Sequence, residues 1–258
     1  SETKDNKLMI KRTLQIVLEQ YMGKGKAILL IGARQVGKST LFRMLTETVT
    51  EDALLWLNCD LQNVRDTLTN PTLTTLQLLF GNKNVVVIDE AQRVTNVGMT
   101  LKLIVDNFPQ IQLLVTGSSA LDLHNRLNEP LTGRKVEYHL YPISTGELYA
   151  SKGLLGVNEL FEQRMVYGSY PDVLLGALPP EKVLMELAES YLYKDILEME
   201  GIRKSSVLQK LLVALALQVG SEVSYNELSK TVGVDNKTVE KYIDILEKCY
   251  IVFKLNSF

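Results

Sequence analysis

The chain is poor in the features that mark several classes of protein. It has only two cysteines among 258 residues, Cys59 and Cys249, which lie far apart and fit no metal-binding spacing. Their scarcity excludes a disulfide framework and a cysteine-rich zinc site, and it favours two buried thiols in a reducing cytosol. No apolar run approaches the about 20 residues of a membrane span, since the longest covers residues 211–217. We therefore predict a cytoplasmic protein with no membrane partner.

The chain also lacks an excess of charge of either sign. Its 28 basic and 30 acidic residues give a net charge of −2, so no overall field attracts it to nucleic acid or anionic lipid. An apolar fraction of 46% and a charged fraction of 22% are typical of a globular protein, and the length allows one or two domains. Because the chain starts at Ser1 and ends in a predicted strand at residues 250–255, we expect the native protein to be longer.

One stretch fits a specific motif, G-x-x-x-x-G-K-[ST], the loop that binds phosphate groups. It consists of Gly32, Ala33, Arg34, Gln35, Val36, Gly37, Lys38 and Ser39, followed by Thr40. The apolar run 27–31 before it and the run 41–45 after it predict a buried strand and a helix on either side. Glycine lets the loop curl its N–H groups around an anion, and the helix adds the positive end of its dipole. The stretch predicts binding of ATP or ADP, with Lys38 on the β- and γ-phosphates and Ser39 on Mg²⁺.

A second stretch ends in two acidic residues. Four β-branched apolar residues at 85–88 lead directly into Asp89 and Glu90. Burying such carboxylates is costly unless they bind something. We predict that Asp89 holds Mg²⁺ and that Glu90 orients and activates the water that attacks the γ-phosphate. The alternative is a solvated acidic pair at the end of a strand.

Hydroxyl side chains follow a further predicted strand, which begins at Ile111. In an open parallel sheet, ligands bind beyond the carboxyl ends of the strands, so Thr116 and Ser118 are expected beside Lys38 and Asp89. There, either hydroxyl can sense the γ-phosphate or hold the attacking water. The alternative is a plain turn of small polar residues.

The order of predicted elements indicates an α/β protein with a helical second part. Predicted strands at 27–31, 53–58, 84–88, 111–115 and 136–140 alternate with helices, and only helices follow until the end of the chain. We predict an ATP-binding core at residues 1–150, a helical lid at 151–204 and a winged helix-turn-helix at 205–258. A predicted linker at 150–156 supports the first division. A buried helix over 207–219, two further helices separated by a glycine turn, and a final strand support the last.

Several stretches together resemble one family. The phosphate loop, residues 87–92 and residues 114–119 are similar to the AAA-type ATPases of bacteria and archaea. Residues 131–134, 141–144 and 168–171 resemble a group in which the AAA module leads into a winged helix and then a restriction-endonuclease-like domain of unknown function. The resemblance covers essentially the whole chain and implies a P-loop NTPase fold, with a parallel sheet between layers of helices. The endonuclease-like domain would begin after Phe258.

The resemblance also implies roles for individual residues. Asp89 and Glu90 would be the Walker B pair, and Thr116 or Ser118 would occupy the position of a phosphate sensor. The chain differs from the family in having Thr or Ser in place of Asn at that sensor. Arg203 is one candidate for a second sensor arginine.

Two more residues receive roles from the resemblance alone. Pro171 would pack on adenine. Arg134 would be an arginine finger that acts in a neighbouring subunit of a homo-oligomeric ring. We expect Arg134 near the carboxyl edge of the sheet, facing away from the loop of its own subunit. A surface ion pair is the alternative for this arginine.

Three functions remain open at this point. The first is an ATPase whose nucleotide cycle moves the lid and the winged helix. The second is a slow or non-hydrolysing nucleotide-gated switch or scaffold, and the third is an ATP-dependent DNA-binding regulator. Residues 206–258 contain six lysines, no arginine and six acidic residues, so charge supports DNA only weakly as a partner. A small-molecule kinase is less favoured because the adjacent acids suit water activation. Neither Asn82-Lys83 nor Asn236-Lys237 has the Asp expected of a GTPase.

Overall fold

The computed structural model describes residues 9–118, 131–189 and 205–255. The chain divides into two compact units, Ser1–Val183 and Leu184–Phe258. The first unit contains a five-stranded sheet and the phosphate loop, and the second contains three successive helices. Arg203, the candidate second sensor, lies outside the described residues.

The sheet of the first unit is entirely parallel. Its strands in chain order are β1 Ala27–Ile31, β2 Leu54–Asn58, β3 Val85–Asp89, β4 Gln112–Gly117 and β5 Lys135–His139. The spatial order is β2-β3-β4-β1-β5, so β1 lies between β4 and β5. The five strands predicted for this region are confirmed to within one or two residues at their ends.

Helices connect the first four strands and continue after β5. Those of the first unit are α1 Thr13–Glu19, α2 Lys38–Leu45, α3 Gln62–Leu68, α4 Leu73–Phe80, a short 3₁₀ helix Ala91–Arg93, α5 Val97–Asn107, α6 Thr145–Glu159, α7 Phe161–Tyr167 and α8 Pro171–Leu175. Helix α9 Pro180–Leu187 crosses into the second unit, which contains α10 Ser205–Ala216, α11 Tyr225–Val232 and α12 Asn236–Lys248. No helix in the described ranges is long and apolar enough to cross a membrane.

The strands β1, β3 and β4 are buried because they consist mostly of consecutive apolar residues. Every residue of β1, β3 and β4 is buried, which requires cover on both faces of the sheet. Ile31 pairs with Gly117 and with His139, and Asn58 pairs with Asp89. The carboxyl ends of the strands therefore lie side by side, and the phosphate loop leaves the sheet from β1, between β4 and β5.

Both cysteines are buried thiols, as predicted. Cys59 follows β2 at the carboxyl edge, and its N–H donates to the carbonyl of Asp89 at 2.9 Å. Burial is the main cause that raises the pKa of Cys59 to about 12, and the negative charge of Asp89 adds to it. This thiol is therefore protonated and unreactive at neutral pH.

The predicted linker at residues 150–156 is wrong, because these residues lie within helix α6. The hydroxyl of Ser144 accepts the N–H of Glu147 at 3.1 Å, and the carboxylate of Glu147 accepts the N–H of Ser144 at 2.9 Å. This reciprocal capping box stabilises the start of the helix. The small residues that suggested a linker produce only a local break at Gly153, where φ is 68°.

In the second unit, the predicted burial of the helix over 207–219 is wrong. Leu208 and Leu211 on helix α10 are buried, but Val213 is 61% exposed and Leu217, just beyond the helix, is 84% exposed. The helix is therefore amphipathic, with one side packed against its own unit. Helix α11 packs against both α10 and α12.

The end of the described chain differs from its prediction as well. Residues 250–255 form a turn and an irregular segment in place of the predicted strand. The helix before them is confirmed: Asp235 caps α12 by accepting the N–H of Thr238 at 2.9 Å, and Val239 and Leu246 are buried. The three helices and their glycine turn are therefore present, whereas the strand that would form a wing is not seen within residues 205–255.

Candidate functional site

The phosphate loop needs glycine at two positions for different reasons. A Cβ atom on Gly32 would lie 2.3 Å from the carbonyl oxygen of Leu140, so only glycine lets β1 continue past the chain that follows β5. Gly37 has φ of 95°, in the left-handed region that favours glycine, and it is the N-cap of α2. The loop therefore delivers the chain to a helix N-terminus, the arrangement that binds anions.

The lysine of the motif is buried within the loop. The ammonium of Lys38 donates to the carbonyl oxygens of Gly32 at 3.0 Å and Ala33 at 2.8 Å. Burial lowers the pKa of Lys38, the carboxylates of Glu90 and Asp89 oppose this lowering, and Arg34 adds to it. The Lys38 ammonium is thus held inside the loop, where it could bind a phosphate group.

The serine of the motif contacts the carboxylate at the end of β3. Ser39 Oγ donates to Asp89 Oδ1 at 2.9 Å, although the two residues lie 50 positions apart in sequence. The hydroxyl of Thr116, at the end of β4, donates to the same oxygen of Asp89. Mg²⁺ prefers hydroxyl and carboxylate oxygens as ligands, so the side chains of Ser39 and Asp89 fit that ion.

The second acidic residue is held by neighbours on β4 and in the 3₁₀ helix. Glu90 has φ of 57°, an uncommon value for a residue with a side chain. Its N–H donates to Thr116 Oγ1 at 2.9 Å, and its Oε2 accepts from Gln92 Nε2 at 2.6 Å. Strained backbone of this kind is concentrated at functional sites.

Gln92 is a site residue that sequence reasoning missed. It is buried, and Nε2 also donates to Ser118 Oγ at 2.8 Å, while Oε1 accepts the N–H of Ser118 at 3.3 Å. The amide thus joins the carboxylate of Glu90 to the hydroxyl of Ser118. The sequence shows a glutamine two positions after Glu90, but nothing in the local pattern predicts that its side chain is buried.

A cavity of about 120 Å³ lies beside the loop. Its walls are mostly apolar and come from the segments before α1 and α6, from α2 with its N-cap, and from α8. The lining residues are Met9, Ile10, Arg12, Gly37, Thr40, Leu41, Met44, Ile143, Pro171, Asp172 and Leu175. Pro171 Cγ would lie 3.8 Å from a Cβ atom on Gly37, so the structure brings this distant proline to the loop. A small apolar cavity next to a phosphate loop has the chemistry to accept the base of a nucleotide.

The remaining residues of the motif form the body of the loop. Ala33 and Val36 are buried, Arg34 and Gln35 are at least partly exposed, and Thr40 lines the cavity. Of the predicted site residues, the structure thus brings together the loop, Asp89, Glu90, Thr116, Ser118 and Pro171.

Arg134 is not part of this group, and the prediction that it lies near the carboxyl edge is wrong. It immediately precedes β5, and its carbonyl accepts the N–H of Ala27, the first residue of β1, at 3.0 Å. Because β1 and β5 are parallel, Arg134 lies at the amino edge, about 15 Å along the strands from the loop. Its guanidinium forms an exposed ion pair with Asp106 at 2.5 Å.

Comparisons with family models divide the chain into two matches. Residues 24–149, just under half of the chain, match the model described as an AAA domain. Residues 158–258 match a domain of unknown function, DUF8612.

Curated relatives with similar sequences are themselves uncharacterized. The chain is 26% identical over 88% of its length to an uncharacterized protein of Haemophilus influenzae. It is 27% identical over 90% of its length to one of Methanocaldococcus jannaschii, and 26% identical over 96% to one of Mycobacterium tuberculosis. The chain spans 61%, 57% and 54% of these relatives, respectively.

Two solved structures are among those that align with most of the chain. The Aeropyrum pernix Orc1 protein in complex with DNA aligns with 96% of this chain and 86% of its own, at 13% identity and a TM-score of 0.47. A DNA polymerase III gamma subunit-related protein of Thermotoga maritima aligns with 92% of this chain and 97% of its own, at 13% identity and a TM-score of 0.42. The AAA-domain match, taken with the parallel sheet and its phosphate loop, supports a P-loop ATPase module at residues 24–149.

Proposed function

We propose that the chain is an ATP-binding protein and a Mg²⁺-dependent ATPase. The observation that carries this proposal is the contact between Ser39 Oγ and Asp89 Oδ1, 2.9 Å apart. It joins the phosphate loop to a buried strand-end carboxylate, and such a pair of oxygen donors suits a cation that accompanies a phosphate chain. Without that use, a buried carboxylate at this position would have little structural reason.

Binding would begin with the loop. Its N–H groups and the N-terminus of α2 would surround the α- and β-phosphates, and Lys38 would exchange the carbonyls of Gly32 and Ala33 for the β- and γ-phosphates. Mg²⁺, when bound, neutralises charge on the phosphate oxygens. The adenine base would occupy the cavity beside Pro171, whose ring is a flat apolar surface for it.

Hydrolysis would depend on the carboxylate of Glu90. It would accept a proton from the water that attacks the γ-phosphate, while the bond between that phosphorus and the oxygen bridging to the β-phosphate breaks and ADP leaves. Thr116 and Ser118 would report the state of the γ-phosphate, since both hydroxyls lie within the group that holds Asp89 and Glu90. Gln92 would have to release Glu90 before the carboxylate could take the proton.

The proposed consequences of turnover concern the rest of the chain. Nucleotide state would control a lid at residues 151–204 and the helix-turn-helix at 205–258, together with assembly into a homo-oligomer in the cytoplasm. Arg134 is left out of this scheme, because it lies at the opposite edge of the sheet and already pairs with Asp106. DNA stays a weakly supported partner, since residues 206–258 carry no net positive charge.

Calorimetric titration with Mg-ATP and Mg-ADP tests the binding proposal. Lys38→Ala should abolish binding of Mg-ATP, because it removes the charge that meets the β- and γ-phosphates. Lys26→Ala, which removes an exposed lysine before β1, is the matched control and should bind as the wild type does. Equal affinity of the Lys38→Ala variant and the wild type for Mg-ATP would contradict the proposal.

One observation favours a second candidate, a nucleotide-gated switch with slow or no turnover. Gln92 Nε2 donates to the carboxylate of Glu90 at 2.6 Å, and a carboxylate oxygen engaged in this bond is less available to accept a proton from water. Size-exclusion chromatography with and without ATP, combined with phosphate release, separates the two candidates. An assembly that forms with ATP and never releases phosphate would establish the switch.

A further inference from the structure

A buried arginine that precedes α1 is hydrogen-bonded to several other residues beside the phosphate loop. Arg12 Nη1 donates to the carbonyl of Val36 at 2.9 Å, and Nη2 donates to the carbonyl of Tyr141 at 2.5 Å. Nε donates to Glu147 Oε1 at 3.1 Å. All three nitrogens of the guanidinium are therefore used, each on a different segment of the chain. Arg12 also lies before residue 24, where the match to the AAA domain begins.

The carboxylate that faces Arg12 is itself fully engaged. Besides Arg12, Glu147 Oε1 accepts the N–H of Thr13 at 2.8 Å, and Oε2 accepts the N–H of Ser144 at 2.9 Å. Burial alone would raise the pKa of Glu147, but the N–H groups of Ser144 and Thr13 and the charge of Arg12 hold it below its ordinary value. The pair is thus ionised and fixed in one geometry, which in turn fixes the guanidinium.

The contact with Val36 orients the peptide that leads into Gly37. In a planar trans peptide the carbonyl and the following N–H point in opposite directions. Because Arg12 holds the carbonyl of Val36, the N–H of Gly37 must point away from Arg12. A Cβ atom on Gly37 would lie 3.7 Å from Arg12 Nη1, so the guanidinium lies directly against this turn of the loop. Arg12 also lines the cavity beside the loop, together with Met9 and Ile10.

We propose that Arg12 is a positioning residue for phosphate binding, which sets the direction of the Gly37 N–H through the carbonyl of Val36. The inference rests on the proposed nucleotide binding. It adds a residue outside the phosphate-loop motif, Arg12, to those on which that binding depends. If the peptide between Val36 and Gly37 could rotate, the N–H of Gly37 would no longer be held in the direction of the phosphates. Each ligand would then have to order the loop as it bound, which lowers its affinity.

The first experiment uses the double variant Arg12→Gln/Glu147→Gln. Removing both charges together avoids leaving one buried charge without its partner, so the fold is preserved better than in either single variant. Calorimetry should show affinities for Mg-ADP and for Mg-pyrophosphate both reduced about 10- to 100-fold, the range of a lost hydrogen bond to a charged group. Pyrophosphate has no base, so its loss of affinity assigns the effect to the loop. Weaker binding of ADP with unchanged binding of pyrophosphate would overturn the inference.

The second experiment separates positioning from a purely structural role. Arg12→Lys keeps a charge opposite Glu147, but a single ammonium does not reproduce the planar fork that reaches Val36, Tyr141 and Glu147. We expect the variant to fold, with a melting temperature lowered by the buried carbonyls that lose their donor, and to lose most of its affinity for Mg-pyrophosphate. If the double variant does not fold, this variant decides the question alone. Affinities within about twofold of wild type in a folded Arg12→Lys protein would overturn the inference.

Arg65→Gln is the matched control. Arg65 donates to the carbonyls of Cys59 and Asp60 at 2.7 Å each, so its loss removes the same kind of bond but leaves the carbonyl of Val36 held by Arg12. The control should bind Mg-ADP and Mg-pyrophosphate as the wild type does. Failure of the wild type itself to bind Mg-ADP would contradict the proposed function, whereas normal binding by the wild type and by the Arg12 variants contradicts only this inference.

Discussion

An arginine–carboxylate pair lies at each edge of the sheet, and the two pairs differ in burial. Arg12 and Glu147, beside the phosphate loop, have side chains that are 8% and 7% exposed. Arg134 and Asp106, at the amino edge, are 45% and 34% exposed. Exposed pairs contribute little because solvent screens them, whereas a buried pair is costly to break from one side. Breaking the Arg12–Glu147 pair should therefore cost stability, whereas replacing a member of the Arg134–Asp106 pair should cost little.

The same contrast extends to the other polar side chains. At the carboxyl edge, Lys38, Asp89, Gln92, Thr116 and Ser118 are all buried and hydrogen-bonded to one another or to the loop. Buried polar groups that are satisfied in this way hold a specific geometry, at the cost of removing them from water. Buried polar side chains of the described residues are therefore concentrated at the carboxyl edge, where the proposed substrate would bind, although Gln112 is buried and hydrogen-bonded at the amino end of β4.

The largest expected effect is that of Glu90→Gln on turnover. The amide keeps the size and the hydrogen bonding of the carboxylate but accepts no proton, so ATP hydrolysis should fall about 10²–10⁴-fold while ATP affinity is kept. Phosphate release under single-turnover conditions measures this. Asp106→Asn, the same change at the amino edge, is the control and should hydrolyse ATP at the wild-type rate. A similar loss in both variants would break the contrast between the edges.

The next effect concerns the hydroxyl that joins Asp89 to Glu90. Thr116→Val keeps the shape of the side chain but removes the donor to Asp89 and the acceptor for the N–H of Glu90. We expect turnover to fall about tenfold and the free energy of unfolding to fall by about 1–3 kcal/mol.

Thr100→Val is matched to this change. Thr100 is equally buried and donates to the carbonyl of Leu68 at 2.9 Å, away from the site. Its loss should lower stability to a similar extent and leave turnover unchanged. Reduced turnover in the Thr100 variant would mean that general loosening of the core, and not the site, explains the Thr116 result.

The strands of the sheet could be predicted from the sequence because the patterns that indicate them are local. Apolar runs with fixed motifs at their ends predicted β1, β3 and β4, and parallel pairing then placed Ser39, Asp89 and Thr116 together. Arg12 and Gln92 were missed because their importance comes from partners that lie up to 135 residues away or from burial that no local pattern encodes.

The errors have equally specific causes. The stretch 150–156 contains small residues typical of a linker, but the capping box that starts α6 lies upstream and is reinforced by Arg12. Arg134 was misplaced because its expected position followed the resemblance, whereas a residue that immediately precedes a parallel strand lies at the amino edge of the sheet. The segment 250–255 has the composition of a strand, but a strand also needs a partner, and none pairs with it among residues 205–255.

A smaller effect is the pH dependence of the buried pair. The folded state holds the pKa of Glu147 below its ordinary value, so the carboxylate contributes stability above the unfolded pKa of about 4.3 and loses it as pH falls through the lower folded value. Urea unfolding should show Glu147→Gln less stable than wild type by about 3 kcal/mol at neutral pH. This difference should narrow below about pH 4. A difference that stays constant down to about pH 2 would show that the charge of Glu147 is not what stabilises the fold.

The smallest effect is expected for Arg134→Ala. An exposed pair is worth about 0–1 kcal/mol, and the residue lies far from the loop, so stability and turnover should both stay close to wild type. Turnover is measured at a protein concentration high enough for any assembly to form. A loss of turnover approaching that of Glu90→Gln would restore Arg134 as a finger acting across subunits and would contradict the contrast drawn here.

The first glycine of the phosphate loop has a consequence for how such chains change over time. Any side chain at Gly32 would collide with the carbonyl of Leu140 and force apart two neighbouring segments of backbone. Selection for folding alone would therefore preserve this glycine, with or without nucleotide binding. Under the proposed function, a descendant that had lost Glu90 would still keep Gly32, so the glycine alone is no marker of hydrolysis.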